Sequence, residues 1–144
     1  MKSLIFLLTM FSLVYAAQID EFAAEVNYLR DYKTAIKTAK EQNKMVMLVA
    51  VGDYCPWCKK FERKTLKSSE VMAKVDEDFV ALVIDKYKDK GDYPKAFFSP
   101  LIPAVFFIDP KTQKSLLETV AYMKKQEFME SMDDAQSLFK EEAK

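Results

Sequence analysis

Cys55 and Cys58 are the only two cysteines of the chain, and two residues separate them where an apolar run gives way to a charged stretch. If a helix begins at Cys55, a residue three positions later lies one turn away on nearly the same face, so the two sulfurs can form a disulfide. Cys55 would then lie where unpaired amides and the helix dipole stabilise a thiolate, the attacking form of cysteine. This spacing predicts redox chemistry by thiol–disulfide exchange.

The residues around the pair favour the same chemistry. Pro56 has the fixed φ and the missing N–H that suit the first position of a helix. Lys59 and Lys60 add positive charge near Cys55, which also favours its thiolate.

Two other interpretations of the cysteine pair carry less weight. A structural disulfide closing so short a loop contributes only about 2 kcal/mol, and a stabilising cross-link usually spans more chain. Half of a thiolate metal site would need further ligands, but the sequence has no histidine and no second cysteine pair. We therefore predict no metal.

Composition limits the other possibilities. A chain of 144 residues, 50% hydrophobic and 31% charged, can form one core, which predicts a single domain. Because 22 Lys and Arg balance 22 Asp and Glu, no net charge favours a nucleic-acid partner. The absence of histidine excludes Ser-His and Cys-His catalysis, and two glycines cannot build a glycine-rich phosphate loop. We expect no bound cofactor, so electrons must come from another protein.

The first 16 residues are typical of a signal peptide. Met1-Lys2-Ser3 carries one positive charge, Leu4 to Val14 is apolar, and Val14-Tyr15-Ala16 places small residues where a signal peptidase cuts. We expect cleavage after Ala16, which leaves 17–144 as the domain. The apolar run falls short of the roughly 20 residues that span a bilayer, so we expect no stable membrane insertion afterwards. The lack of an Asn-x-Ser/Thr acceptor favours a bacterial periplasm, an oxidising compartment.

Apolar periodicity predicts a series of helices. The first is a short amphipathic segment whose role the sequence leaves open, and Asp31 is a good N-cap for the second. The expected helices are Ile19 to Tyr28, Tyr32 to Gln42, Cys55 to Leu66, a short one from Ser68 or Ser69 to Lys74 or Val75, another near Tyr93 to Phe98, and a closing helix with Phe128, Met132, Ala135 and Phe139 on one face.

Unbroken apolar runs of strand length indicate strands buried on both faces of a helix-flanked sheet. These runs are Met45 to Val51, Phe79 to Ile84 and Ala104 to Ile108. A turn at Asp109-Pro110-Lys111 precedes a further strand, Leu116 to Tyr122, expected to be antiparallel to its neighbour. The fold class predicted is α/β, a mixed central sheet with helices on both faces.

This order of elements, with Ile102-Pro103 before a strand, resembles the thioredoxin fold over nearly all of the chain from Tyr28 on. Within that superfamily the chain is similar to the secreted thioredoxin-like branch, which includes the C-terminal domain of the transmembrane periplasmic disulfide reductase. The resemblance is carried by Asp31, Ala35, Ala39-Lys40, Asn43-Lys44, Cys55-Pro56-Trp57-Cys58-Lys59-Lys60, Val71, Phe79-Val80 and Asp85.

The resemblance implies roles for the residues of the site. Cys55 would be the exposed nucleophile and Cys58 the buried resolving thiol, and Pro103 would be the family's cis-proline. The substrate-binding residues would be Tyr54, Pro56, Trp57, Ile102 and Pro103. Of these, Tyr54, Trp57 and Ile102 would form an apolar rim where a substrate strand can pair with backbone groups beside the proline. The partners implied are protein thiols and disulfides and a membrane-bound electron donor or acceptor.

Two departures from thioredoxins affect these roles. Val49 stands where thioredoxins usually carry a buried Asp, and Glu62, one turn after Cys58 on the same face, matches a glutamate of the reductase domain. Glu62 is either the proton acceptor for Cys58 or a surface residue paired with Lys59 or Lys60. The second departure is the Pro-Trp dipeptide between the cysteines, which is neither Gly-Pro of thioredoxin nor Pro-His of the strong periplasmic oxidase.

The favoured function is therefore a periplasmic thiol:disulfide oxidoreductase that reduces substrate disulfides. Without a histidine between the cysteines, little extra stabilisation of the Cys55 thiolate is available, and a strongly stabilised reduced form is what makes an oxidant. The alternatives are an oxidase or isomerase of the same fold, and a non-catalytic module that binds peptides in the apolar groove.

Overall fold

A computed structural model describes residues 17–144, so the expected signal peptide lies outside the described residues. The helices are α1 (Gln18–Val26), α2 (Tyr32–Gln42), α3 (Pro56–Phe61), α4 (Ser69–Asp78) and α5 (Lys125–Glu142). A π-helical turn (Glu62–Leu66) continues α3, and a single 3₁₀ turn covers Lys95–Phe97. The strands are β1 (Met45–Val51), β2 (Phe79–Asp85), β3 (Ala104–Asp109) and β4 (Lys114–Val120).

The four strands form one mixed sheet in the order β2-β1-β3-β4. β1 pairs in parallel with β2, and the connection between them contains α3, the π turn and α4. β1 is antiparallel to β3, and β3 and β4 form an antiparallel hairpin with a register shift between Phe107 and Ile108. The predicted mixed sheet and the antiparallel last strand are confirmed.

The core lies in two layers, one on each face of the sheet. All seven residues of β1 are buried, which explains its unbroken apolar run. Since side chains alternate along a strand, Met47 and Val49 lie on the face covered by α1, α3, α4 and α5, whereas Val46 and Leu48 lie on the face covered by α2. Helices therefore flank the sheet on both sides, as predicted.

The N-terminal segment, whose role the sequence left open, packs onto the core. Ile19, Phe22, Ala23 and Val26 of α1 are buried. After this helix, Leu29 pairs with the outer edge of β2: its N–H donates to Ala81 O at 2.8 Å and its carbonyl accepts from Val83 N–H at 3.0 Å. The helical extension and this one-residue bridge cover a sheet edge that would otherwise be open.

Several boundaries differ from the sequence prediction. α4 continues to Asp78, beyond its predicted end. Apolar periodicity does not detect this last turn because the turn is polar, with Lys74 Nζ 3.1 Å from the Asp78 carboxylate. β4 runs from Lys114 to Val120 rather than from Leu116 to Tyr122, because pairing with β3 decides its ends. Phe139 of α5 is only partly buried.

Among residues 17–144, no helix has the length and apolarity needed to cross a bilayer.

The helix expected from Cys55 to Leu66 changes geometry after Phe61. Lys67 N–H donates to Glu62 O at 3.0 Å, a bond that spans five residues and defines the π turn. Within this turn Thr65 is fully buried, and its Oγ1 donates to Met123 O at 2.7 Å. The wider turn thus places a hydroxyl in the interior, where it binds the loop between β4 and α5.

Candidate active site at the start of α3

Cys55 is the N-cap of α3, as predicted, and is disulfide-bonded to Cys58, with 5.2 Å between the two Cα atoms. The Cys58 N–H donates to Cys55 Sγ at 3.2 Å. Cys58 is fully buried. Cys55 is half-buried rather than fully exposed, because it packs partly against the core. An incoming thiol or disulfide can therefore reach the Cys55 sulfur and cannot reach Cys58.

The segment between β1 and α3 turns the chain so that Cys55 lies at the end of the sheet. Tyr54 has a φ of 56°, in the left-handed region that bulky residues seldom adopt. Pro56 occupies the start of the helix, where its missing N–H costs nothing. Asp53 forms a salt bridge with Lys88, which ties this segment to the loop after β2. Such uncommon backbone geometry is concentrated at functional sites.

The loop before β3 forms the other side of the site. The Ile102–Pro103 peptide is cis, as the resemblance implied. The carbonyl oxygen of Ile102 lies 3.9 Å from Cys55 Sγ. Gly52 allows this approach, because a Cβ there would come within 2.9 Å of Ile102 Cδ1 and 3.5 Å of the Tyr87 ring. The reactive sulfur and the backbone before the cis-proline therefore lie within reach of one bound peptide.

Four of the five predicted substrate-binding residues reach the surface, whereas Pro103 is buried. Tyr54 is fully exposed, Trp57 is 57% exposed and Ile102 is half-buried. Trp57 is therefore not a core residue. Tyr54, Cys55 and Pro56 line one groove, whose other lining residues are Ala17, Gln18, Asp53, Lys59 and Lys88. The N-terminal end of α1 thus reaches the site, which no sequence signal indicated.

Glu62 combines features of both interpretations given to it. Glu62 is 6% exposed, as expected for a proton acceptor of the buried Cys58 thiol. Lys59 Nζ nevertheless lies 3.2 Å from the Glu62 carboxylate. Burial raises the pKa of Glu62 above its ordinary value, and the Lys59 charge and hydrogen bond partly oppose that rise. Val49 is fully buried on the same face of the sheet as Cys58 and offers no titrating group. Glu62 is therefore our candidate for the proton acceptor, and its role stays a prediction.

Sequence reasoning missed the residues that hold Trp57. Its ring lies 5.8 Å from the ring of Tyr122, and Lys60 Nζ lies 4.9 Å from the Trp57 ring centre and 4.7 Å from that of Tyr122. Tyr122 follows β4 and is far from Trp57 in the chain, so periodicity could not associate them. The sequence predicts Lys60 to be a charge near Cys55 or a partner of Glu62, and not a contact of aromatic rings.

The sequence is similar to a known protein family and to two curated proteins. A family model described as "Thioredoxin-like" matches residues 27–110. Anterior gradient protein 3 of Xenopus tropicalis is 24% identical over 87 residues, which are 60% of this chain and 51% of that protein. Its counterpart in Mus musculus is 22% identical over the same share of each chain. The chain thus spans about half the length of the curated relatives it matches.

Solved structures share the fold. A thioredoxin from Thermus thermophilus has a TM-score of 0.66 and 19% identity, covering 74% of this chain and 85% of its own. A structure titled DsbH oxidoreductase has a TM-score of 0.63 and 20% identity, covering 88% and 93%. The oxidised C-terminal domain of DsbD from Neisseria meningitidis has a TM-score of 0.57 and 23% identity, covering 75% and 98%. At these identities the likeness establishes the thioredoxin fold.

Proposed function

Because the chain belongs to the thioredoxin-like family, we propose that it is a thiol:disulfide oxidoreductase, and that it reduces disulfides of other proteins in the periplasm. One observation carries this proposal. A half-buried Cys55 sulfur caps α3 and accepts the Cys58 N–H at 3.2 Å, while its disulfide partner Cys58 is fully buried. Only one of the two sulfurs is open to a substrate, which is the arrangement that a two-step exchange requires.

The proposed reaction begins from the reduced dithiol. The Cys55 thiolate attacks one sulfur of the substrate disulfide, forming a mixed disulfide and releasing the other substrate sulfur as a thiolate, which takes up a proton. Cys58 then loses its proton and attacks Cys55 Sγ, which releases the second substrate sulfur. The substrate gains two electrons and two protons, and the protein is left with the Cys55–Cys58 disulfide seen here.

The charges around Cys55 support the reducing direction. No histidine lies between the cysteines. Lys59 is paired with Glu62, and Lys60 lies over two aromatic rings, so both charges that could stabilise the thiolate have other partners. A thiolate that is only moderately stabilised makes the dithiol a reductant rather than an oxidant.

The location and the electron donor belong to the same proposal. The sequence pattern of residues 1–16 supports export, and an exported reductase must be reduced again after each turnover. The resemblance of the Cys55–Lys60 stretch to the secreted thioredoxin-like branch supports a membrane-bound thiol protein as the electron donor. The clients would be proteins whose disulfides are exposed enough to reach Cys55.

Turnover of insulin by the 17–144 protein, with dithiothreitol as the electron donor, tests the activity. We expect the wild-type protein to accelerate reduction and Cys55→Ser to abolish it. Reduced Cys58→Ser, mixed with insulin after dithiothreitol has been removed, should accumulate a mixed disulfide on Cys55 that non-reducing electrophoresis resolves. Binding of insulin without turnover would instead favour the peptide-binding module. Expression of Cys58→Ser in a periplasm would then identify the clients trapped on Cys55.

A further inference from the structure

Trp57, the only tryptophan of the chain, is more than half exposed next to the reactive cysteine, yet one side of its ring is firmly supported. The Tyr122 ring lies 5.8 Å away at an interplanar angle of 36°. The Lys60 ammonium lies over both rings, at 4.9 Å from Trp57 and 4.7 Å from Tyr122. A cation shared by two ring faces favours one arrangement of all three side chains.

Tyr122 is itself held by the core and by the active helix. Its ring meets the buried Phe61 of α3 edge-on, with 6.5 Å between ring centres. The carbonyl of the next residue, Met123, accepts the hydrogen bond of 2.7 Å from the buried Thr65 Oγ1. The loop between β4 and α5 is therefore fastened to the same helical segment that carries Cys58 and Trp57.

We propose that Tyr122 is a positioning residue which, with Lys60, holds the Trp57 indole beside Cys55 as a preformed contact surface for protein substrates. This inference rests on the proposed function. An exposed indole without such support would occupy several rotamers, and binding a polypeptide would have to order it at a cost in affinity. A small disulfide that touches little beyond Cys55 needs no such surface. Tyr122 thus determines a preference for protein disulfides over small ones.

Variants of Tyr122 and Lys60 test this inference. Tyr122→Leu removes the aromatic support, Tyr122→Phe keeps the ring, and Lys60→Met keeps the aliphatic stem without the charge. Lys64→Met is the matched control, because Lys64 lies in the π turn, is exposed, and makes no ring contact among the described residues. Each variant is assayed with insulin and with cystine as the small disulfide, and melting temperatures check that the variants are folded.

The expected pattern separates positioning from a structural role. Tyr122→Leu should raise the KM for insulin about fivefold to tenfold with kcat little changed, and leave cystine reduction unaltered. Lys60→Met should raise that KM about twofold to threefold, whereas Tyr122→Phe and Lys64→Met should match the wild type. Because Trp57 is the only tryptophan, acrylamide quenching should increase and fluorescence anisotropy should fall in Tyr122→Leu and, less so, in Lys60→Met.

Three results would overturn the inference. They are an unchanged KM for insulin in both Tyr122→Leu and Lys60→Met, an equal loss of activity with insulin and with cystine in these variants, or unchanged acrylamide quenching of Trp57. If Tyr122→Leu does not fold, Lys60→Met decides, since it alters a partly exposed side chain. A wild-type protein that reduces neither substrate would contradict the proposed function instead, and the Trp57 fluorescence would still decide whether Tyr122 holds the indole.

Discussion

Burial raises the pKa of the Glu62 carboxyl, and Lys59, 3.2 Å away, opposes part of that rise. A carboxylate whose pKa is higher in the folded than in the unfolded protein favours folding at low pH. This contribution is fully present below the unfolded pKa and is lost as the pH rises through the folded pKa. Glu62 in its ionised form is therefore retained at a cost in stability, which is consistent with a functional role near Cys58.

Replacement of Glu62 by Gln tests that role, because Gln keeps the shape and hydrogen bonding while removing the base. We expect Glu62→Gln to slow release of the mixed disulfide by about tenfold or more and to spare its formation, since only the second step needs a proton taken from Cys58. Single-turnover kinetics from about pH 6 to pH 8 measure both steps.

The exposed Glu77 gives a matched control, and Glu77→Gln should leave both steps unchanged. Stability provides a second comparison: the oxidised Glu62→Gln variant should lose less stability than the wild type as the pH rises from acid to neutral. If release is as fast in Glu62→Gln as in the wild type, the carboxylate is only a partner of Lys59.

At the scale of elements, α1 is the helix whose contribution the sequence left undecided. Its residues Ile19, Phe22, Ala23 and Val26 are buried against the same core layer that contains Cys58. Phe22 also meets Tyr28 edge-on, with 5.8 Å between ring centres. α1 is therefore part of the domain, although the family model begins only at residue 27.

Truncation of Phe22 tests this packing. Phe22→Ala should lower the free energy of unfolding by about 3 to 5 kcal/mol, because it removes a buried ring and leaves a cavity. Urea titration of the oxidised protein measures the loss. Glu21→Ala, at an exposed position of the same helix, should change stability by less than about 0.5 kcal/mol. Equal small effects in both variants would mean that α1 is dispensable.

At the scale of the whole molecule, the direction of electron flow depends on which redox form folds more stably. A disulfide between residues this close in sequence restricts the unfolded chain modestly, by about 2 kcal/mol. In an oxidant the oxidised form is not the more stable one, because a strongly stabilised thiolate makes the reduced protein more stable. The engaged side chains of Lys59 and Lys60 provide little such stabilisation here.

We therefore expect the oxidised protein to unfold at a higher urea concentration than the reduced protein, by about 2 kcal/mol in free energy. The Cys55→Ser, Cys58→Ser double variant is the control, and reductant should not alter its midpoint. A reduced form more stable than the oxidised one would contradict the reductase proposal and favour an oxidase.

The sequence by itself determined the parts of this protein that depend on neighbouring residues. The unbroken apolar run of β1, the Asp31 cap of α2 and the spacing of Cys55 and Cys58 are local patterns, and the structure has each where it was predicted. The cis peptide at Ile102–Pro103 came from the resemblance to thioredoxins, since few X-Pro bonds are cis.

Only the tertiary structure decided how distant residues meet. The sequence left open whether Glu62, in the π turn, is buried or paired with a lysine, and the structure has both: Glu62 is 6% exposed and lies 3.2 Å from Lys59 Nζ. The contact of Tyr122 with Trp57 depends on the loop after β4 being fastened to that turn through Thr65. The periodicity of apolar residues indicates which face of a helix or strand is buried, but it does not indicate which helices and strands pack together. Side-chain partners therefore become known only when the layers of the fold are assembled.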